Sequence, residues 1–395
     1  MFFSYHISLV EAVLLSVGAA AAVVAVGYAT LRSLSVARTR RFCDEAEAQE
    51  NAVLEPVSVI VYSQDEADAL EMLLRDIIGQ EYPAPMEVIV VNEGENSEVR
   101  DVVETLRIGY PSIYLTHTPD GARNLSRKKL ALTLGIKAAR YDTVVLTCVG
   151  AQIRSPRWLQ GMMRHFGKDV PVEVVIGFAA QMADDDIGRG SRCRAFDTAF
   201  GAARWLGAAI VGHPFRASEY NVAYRREAFF RNKGFSRSLN LHFGDDDIFI
   251  SEIAHGANTA VELGEESIVG LLAHDYSYAL KRAGMRHVFT ESHIRRRPRL
   301  WATLAALGTP VSLACCVSAL IMNPYNGFVV ALASAVLLLL IAGVTAGWRR
   351  LLRALDLRVL GGSIFPLAVG YPARRLLLRL RARFSRQELY TWDLF

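Results

Sequence analysis

The sequence predicts an α/β domain, a mostly parallel sheet with flanking helices, held between transmembrane helices at both ends. Three observations predict it. Between Pro56 and Leu263 short β-branched runs alternate with helical periodicity, the sequence form of a sheet covered by helices. From Ser8 to Leu31 the chain carries no charge except Glu11, and about 20 apolar residues are enough to cross a bilayer core. Two further apolar runs, Leu300 to Met322 and Phe328 to Gly347, flank a turn of Asn323, Pro324, Tyr325, Asn326 and Gly327. With 52% hydrophobic residues, the chain is more apolar than a soluble one of its size.

The elements run in this order. Residues 8–31 form a transmembrane helix; Arg32, Arg38, Arg40 and Arg41 come after the apolar run, where a secretory signal would carry its basic residues before it. The positive-inside rule then places the α/β domain in the cytosol, at an inner or plasma membrane. Residues 32–55 read as a linker, alanine-rich and of mixed charge from Cys43 to Glu55. In the domain, residues 56–263, the first strand is Val57 to Tyr62, and Leu70, Leu73, Leu74, Ile77 and Ile78 recur at helical spacing before a strand from Glu87 to Val91. Strands come next at Ile113 to His117 and Thr143 to Thr147, with Ser126 capping a helix through Ala139 between them. Ser155 and Pro156 start another helix, Val172 to Phe178 is a strand, and Ile248 to Ala254 is helical. Residues 264–299 form an amphipathic interfacial segment. The hairpin, 300–347, has basic outer flanks: Arg295, Arg296, Arg297 and Arg299 before it, and Arg349, Arg350 and Arg353 after. Residues 348–395 close the chain as a basic interfacial segment, its apolar stretch Val359 to Tyr371 being short for a span.

The net charge of +4 is small, and the arginines crowd beside the apolar segments, which argues against a nucleic-acid partner. Cys43, Cys148, Cys193, Cys315 and Cys316 lack the spacing of a disulfide framework or a zinc site and read as small buried residues of a reducing compartment. The apolar spans carry no charge pair of the kind a transporter needs.

Ligand sites in such sheets lie beyond the carboxyl ends of the strands, so the loops after Tyr62, Val91 and Thr147 line one crevice. The second of these holds Asn92 and Glu93, whose carboxylate could accept hydrogen bonds from a base or ribose. Gly244, Asp245, Asp246, Asp247 and Ile248 place three adjacent carboxylates at a helix start. Such a run complements a helix N-terminus, and a partly desolvated aspartate beside like charges also suits a general base. Asp184, Asp185 and Asp186 read as a solvated loop. His213, His242 and His274 are scattered single residues, and Trp158 and Trp205 fit helix packing.

With the sheet pattern, Asn92-Glu93, Ser155 to Leu159 and Gly244 to Asp247 in hand, the chain resembles the family 2 glycosyltransferases of GT-A fold over roughly Pro56 to Leu263. The resemblance implies that Asn92 and Glu93, with Ser63 and Asp65 of the first-strand loop, hold the nucleotide of a nucleotide-sugar donor. It implies that Asp246, or its neighbour Asp245 or Asp247, takes the proton of the attacking acceptor hydroxyl. Lys281, Arg282, Arg286 and His287 sit where processive members carry a basic-aromatic motif, with His287 in place of tryptophan. The departure is after the fourth strand. Where the family has Asp-x-Asp to bind a metal, this chain has Cys148, Val149 and Gly150, and magnesium or manganese is left without its usual hard oxygen ligands.

The expected function is therefore inverting transfer of a sugar to a lipid-linked or glycan acceptor in polysaccharide or cell-envelope biosynthesis at the cytosolic face. Lys128, Lys129 or the cluster from Lys281 to His287 would offset the diphosphate charge in place of a metal. A second reading stays open beside it: a catalytically degenerate scaffold whose hydrophobic hairpin docks a membrane-protein partner.

Overall fold

The computed structural model describes residues 7–47, 54–119, 125–167, 171–181, 189–271, 284–294, 297–357, 359 and 361–384. In chain order these form α1 (Leu9–Glu47), β1 (Val57–Ser63), α2 (Ala67–Ile78), β2 (Met86–Asn92), α3 (Ser97–Gly109), β3 (Ile113–His117), α4 (Arg127–Ala138), β4 (Thr143–Cys148), β5 (Ala151–Gln152) and α5 (Trp158–Met163). Then come β6 (Val174–Ile176), β7 (Ala179–Gln181), α6 (Arg189–Ile210), β8 (Val222–Arg225), α7 (Arg226–Arg231), α8 (Ile248–Ile253), β9 (Thr259–Val261) and β10 (Val269–Leu271). The last elements are α9 (284–290), α10 (Arg297–Met322), α11 (Gly327–Ala354) and α12 (Gly361–Phe384).

The chain divides into two compact units. The larger, residues 38–182, 208–295 and 379–395, is the α/β domain. Among the described residues its main sheet has seven strands in the order β3-β2-β1-β4-β8-β6-β9, with only β8 antiparallel to its neighbours. The order reverses between β1 and β4, so the carboxyl ends of those strands flank a switch-point crevice. Register puts Tyr62 beside Cys148 and Ser63 beside Asn92, so the three predicted loops do leave the sheet at one level. The core explains the order: β1 is buried along its whole length, and α2 buries Leu70, Leu73, Leu74 and Ile77 on one face, each worth about 2 kcal/mol of transfer free energy. Helix α4 lies so close to the sheet that a Cβ on Gly135 would meet Ile60 and Val91 at 2.8 Å. A second, small sheet of β5, β10 and β7 completes the domain.

The other unit comprises residues 1–37, 183–207 and 296–378. Among the described residues three helices, α1, α10 from Leu300 onward, and α11, are long and apolar enough to cross a membrane. Small residues let them approach closely: Cβ atoms built on Gly18, Gly308 and Gly347 would meet Cys316, Ala21 and Ala29 at 3.1, 2.8 and 2.9 Å. Leu9, Val23, Leu338, Leu339 and Ile321 point outward, as lipid-facing positions would. Asn326 caps α11 through the N–H groups of Phe328 and Val329 at 3.1 and 3.3 Å, at the predicted hairpin turn. In the same unit the Phe200 ring stacks on Tyr371 and Trp348 at centroid distances of 3.9 and 4.8 Å, and Arg374 pairs with Asp197 at 2.6 Å.

Three expectations differ from the observed structure. The first helix continues to Glu47 through most of the segment read as linker, because residues 32–47 are rich in the helix formers Ala, Arg and Glu. The strand expected from Val172 to Phe178 is only Val174–Ile176. From Gly361 onward, the segment read as Val359 to Tyr371 lies in a 24-residue helix that accommodates Pro366 and Pro372. Asp184, Asp185, Asp186, His274, Arg295 and Arg296 lie outside the described residues.

Candidate active site

The site assembles where β1, β2 and β4 end. Asp65 stands just past β1 in the left-handed region, at φ 65°, and Asn92 clasps it there. The Asn92 amide oxygen accepts the Asp65 N–H at 3.1 Å, and its nitrogen donates to the Asp65 carboxylate at 2.7 Å and to the Gly94 carbonyl at 3.0 Å. Asn92 is buried and spends its polar atoms on these loops, so it positions Asp65. Glu93 accepts a hydrogen bond from the Tyr62 hydroxyl. Ser63 is buried, and its hydroxyl has no hydrogen-bond partner among the described residues.

At the end of β4, Thr147 donates to the carbonyl of Tyr220 at 3.0 Å, and the Cys148 thiol donates to the carbonyl of Glu219 at 3.3 Å. Burial pushes that thiol up to about 12 against the pull of Lys128, so it stays protonated. A protonated thiol, a valine and a glycine do not fit a magnesium or manganese ion. The group that stands beside Cys148 is a cation of the protein's own. Lys128, from the first turn of α4, pairs with Glu219 and, at 2.8 Å, with Asp245, and lies 5.4 Å from the centre of the Tyr62 ring. Burial opposes its charge, but Asp245 and Glu219 outweigh burial and hold the ammonium well above the ordinary lysine range. Arg286, on α9, reaches Glu219 at 3.5 Å and lies over the Phe243 ring at 4.7 Å.

Lys129 does not join this cluster. Its ammonium is buried on the carbonyls of Ser238, Leu241 and Phe243, at 2.5, 3.2 and 2.8 Å. It anchors the loop that leads into the acidic run. Lys281 and Arg282 lie outside the described residues.

The acidic run turns at Gly244, whose φ of +111° suits glycine, and a Cβ there would meet Ile248 at 2.6 Å. Its three carboxylates have separate fates. Asp245 pairs with Lys128. Asp246 faces the imidazole of His287 at 3.3 Å and Arg216 at 4.0 Å. Asp247 is 1% exposed and caps α8, accepting the Ile248 N–H at 2.7 Å and the Thr290 hydroxyl. Arg286, His287 and Thr290 thus bring one face of α9 onto the acidic run.

Environment then separates the two neighbouring acids. Burial disfavours the Asp246 charge, but the His287 hydrogen bond, Arg216 and Lys128 hold its carboxyl below the usual range. Burial and the charge of Asp246 push Asp247 up to about 7. Burial and Arg216 push His287 down to about 4, leaving a neutral ring that donates to Asp246. The ligand atoms of Asp246, Asp247 and His287 lie within 4.8 Å of one another, yet Arg216, Thr290 and the Ile248 N–H already engage the two acids.

Asp247 carries a stability prediction. Its folded pKa lies above the ~3.9 of a free aspartate, so between about pH 4 and 7 the folded state binds the extra proton and stability falls as pH rises. Asp247→Asn imitates the protonated acid. It is expected to raise the melting temperature of the detergent-purified protein at about pH 8 and to leave it nearly unchanged at about pH 4, measured by scanning fluorimetry.

The sequence did not single out Glu219 or Arg216, which arrive on the loop before β8, or Tyr62. Trp158, read as packing, is fully buried and donates to Asn221 at 3.0 Å. A cavity of about 660 Å³ bordered by Glu55, Arg140, Glu173 and Arg225 lies at the opposite, amino end of the strands, away from this cluster.

Residues 58–236 match the family Glycosyl transferase family 2. This stretch is a family 2 glycosyltransferase domain, and its fold is of the GT-A kind. Among solved structures, the mannosyltransferase PcManGT of Pyrobaculum calidifontis, determined with GDP-Man and Mn2+, matches with a TM-score of 0.52 at 18% identity, over 88% of this chain and 97% of that one. That likeness is one of fold. Mannosyl-3-phosphoglycerate synthase of Rubrobacter xylanophilus matches at TM-score 0.38 and 17% identity, over 66% of this chain and 80% of its own. Glucosyl-3-phosphoglycerate synthase of Mycobacterium tuberculosis matches at 0.40 and 14%, over 64% and 84%. No curated protein matches the chain.

Proposed function

We propose that this protein is a membrane-anchored inverting glycosyltransferase that moves a sugar from a nucleoside diphosphate donor to a lipid-linked or glycan acceptor at the cytosolic face, with its own cations in place of a metal. The observation that carries the reading is Lys128, a largely but not fully buried ammonium kept charged by Glu219 and Asp245 beside Cys148, where the family's metal ligands would stand. PcManGT was determined with Mn2+ as well as its donor; the proposal departs from that protein at the ion.

In the proposed step the acceptor oxygen attacks the anomeric carbon, its proton passes to the Asp246 carboxylate, and the bond from the anomeric carbon to the diphosphate oxygen breaks. Lys128 and Arg286 offset the charge that develops on the leaving nucleoside diphosphate. Asp246 is ionised but weakly basic at rest. As Lys128 turns toward the diphosphate, its pull on Asp246 weakens and the carboxylate becomes a stronger base. Glu93 and Asp65 face the nucleoside, with Tyr62 and Asn92 holding them. The basic flanks Arg32 to Arg41 and Arg349 to Arg353 support the cytosolic orientation, and the apolar helices would keep the site beside a membrane-embedded acceptor.

The test is transfer from radiolabelled UDP- and GDP-sugars to a membrane lipid extract by the purified protein in vesicles, with EDTA present. The expected result is glycosylated product from one donor with an inverted anomeric configuration. Product formed only when manganese is restored would overturn the metal-free reading, and no product from any donor would return the scaffold reading.

A further inference from the structure

A second group of polar residues lies away from the catalytic cluster, where the last turns of α1 meet the edge strand β9. Cys43 and Glu47 are four residues apart on α1 and therefore share a helical face. His165 comes just after α5, and Glu262 just after β9. Cys43 is 1% exposed and Glu262 is fully buried. The His165 Nε2 and a Glu262 oxygen are 2.7 Å apart, and the Cys43 thiol lies 3.6 Å from the carbonyl of Val261 and interacts with the Glu262 carboxylate and the Leu263 backbone. The sulfur, the imidazole nitrogen and the carboxylate oxygen all lie within 4.8 Å of one another. A tetrahedral zinc with bonds of ~2.0–2.3 Å needs ligand atoms roughly 3.3–3.8 Å apart, so small side-chain shifts suffice.

Charge points the same way. Arg164 lies 2.6 Å from Glu262 and 3.8 Å from Glu47, one guanidinium shared by two carboxylates in a buried place. A zinc ion with a cysteine thiolate adds one net positive charge and brings the group to neutrality. From these observations we propose that Cys43, His165 and Glu262 form a structural zinc site, with Glu47 supplying a fourth ligand from the same face of α1. The mixed sulfur, nitrogen and oxygen set suits a borderline-soft ion and disfavours magnesium or calcium. Its effect is to fasten the end of α1 to an edge strand that would otherwise expose an unpaired side. On binding, the thiol loses its proton and His165 turns its Nε2 lone pair from Glu262 to the metal.

The experiment is zinc analysis and cobalt substitution of the full chain purified in detergent. Wild type is expected to retain one zinc per chain after dialysis against a weak chelator. Its cobalt form is expected to show a near-ultraviolet thiolate-to-cobalt charge-transfer band that disappears in Cys43→Ser and survives in Asp246→Asn. The sulfur signature separates this site from any ion held by the carboxylates of the catalytic cluster. If Cys43→Ser does not fold, His165→Gln serves instead: it should keep the charge-transfer band and change the visible cobalt spectrum. A cobalt protein without the band, a band that persists in Cys43→Ser, or a cobalt spectrum indifferent to His165→Gln would each overturn the assignment.

Discussion

Replacing Lys128 with methionine is expected to lower kcat by ~10²–10³, about 3–4 kcal/mol of transition-state stabilisation, as when one preorganised donor to developing charge is removed. The variant also leaves Glu219 and Asp245 without their shared, largely buried partner, which costs stability in its own right. The double variant Lys128→Met, Glu219→Gln separates the two effects. It should recover much of the lost melting temperature, since charge balance is restored, but none of the lost turnover. Added manganese should not restore turnover either, because Cys148, Val149 and Gly150 give it nothing to bind. If the double variant regained activity, Lys128 would be a structural lysine and the electrostatic role would have to move to Arg286.

Asp246→Asn is expected to reduce kcat by ~10²–10⁴, the usual contribution of a general base, with little change in donor affinity. The asparagine keeps the shape and can still accept from His287, so the fold should be retained. Asp247→Asn at the next position should behave otherwise. Its carboxyl is 1% exposed and committed to Ile248 and Thr290, so the change should register in stability and its pH dependence far more than in turnover. Steady-state kinetics of the two variants side by side test the assignment. Equal loss of kcat in both would mean that the acidic run acts as one unit and that neither acid alone is the base.

The parts of the fold set by local pattern could be read from the sequence. The β-branched run of Val57 to Val61, the helical spacing of Leu70, Leu73, Leu74 and Ile77, the Ser126 cap and the Asn326 turn are short-range signals, and each element lies where its residues predict. The small sheet of β5, β10 and β7 could not be read, because strands of two or three residues have no periodicity to detect. The continuation of α1 to Glu47 was hidden by its polar composition, which fits a linker as well as an amphipathic helix. In the candidate site, Gly244 to Asp247 stood out because crowded carboxylates are costly without a purpose. Lys128 could be named only as one cation among several, since nothing local tells its side chain from that of Lys129. One lysine faces Glu219 and Asp245, and the other is buried on three carbonyls of a distant loop. Glu219 and Arg216 carry no local signal at all, and only long-range packing brings them to β4 and the acidic run.

The central claim is that the protein's own cations take the place of a metal in holding the donor diphosphate. The most direct measurement is calorimetric titration of UDP, GDP and their sugar conjugates into detergent-purified wild type and Lys128→Met, first with manganese and then with EDTA. The account predicts that one nucleotide binds wild type equally well under both conditions and binds Lys128→Met far more weakly under both. Binding that needs manganese, disappears in EDTA and is indifferent to Lys128 would contradict it.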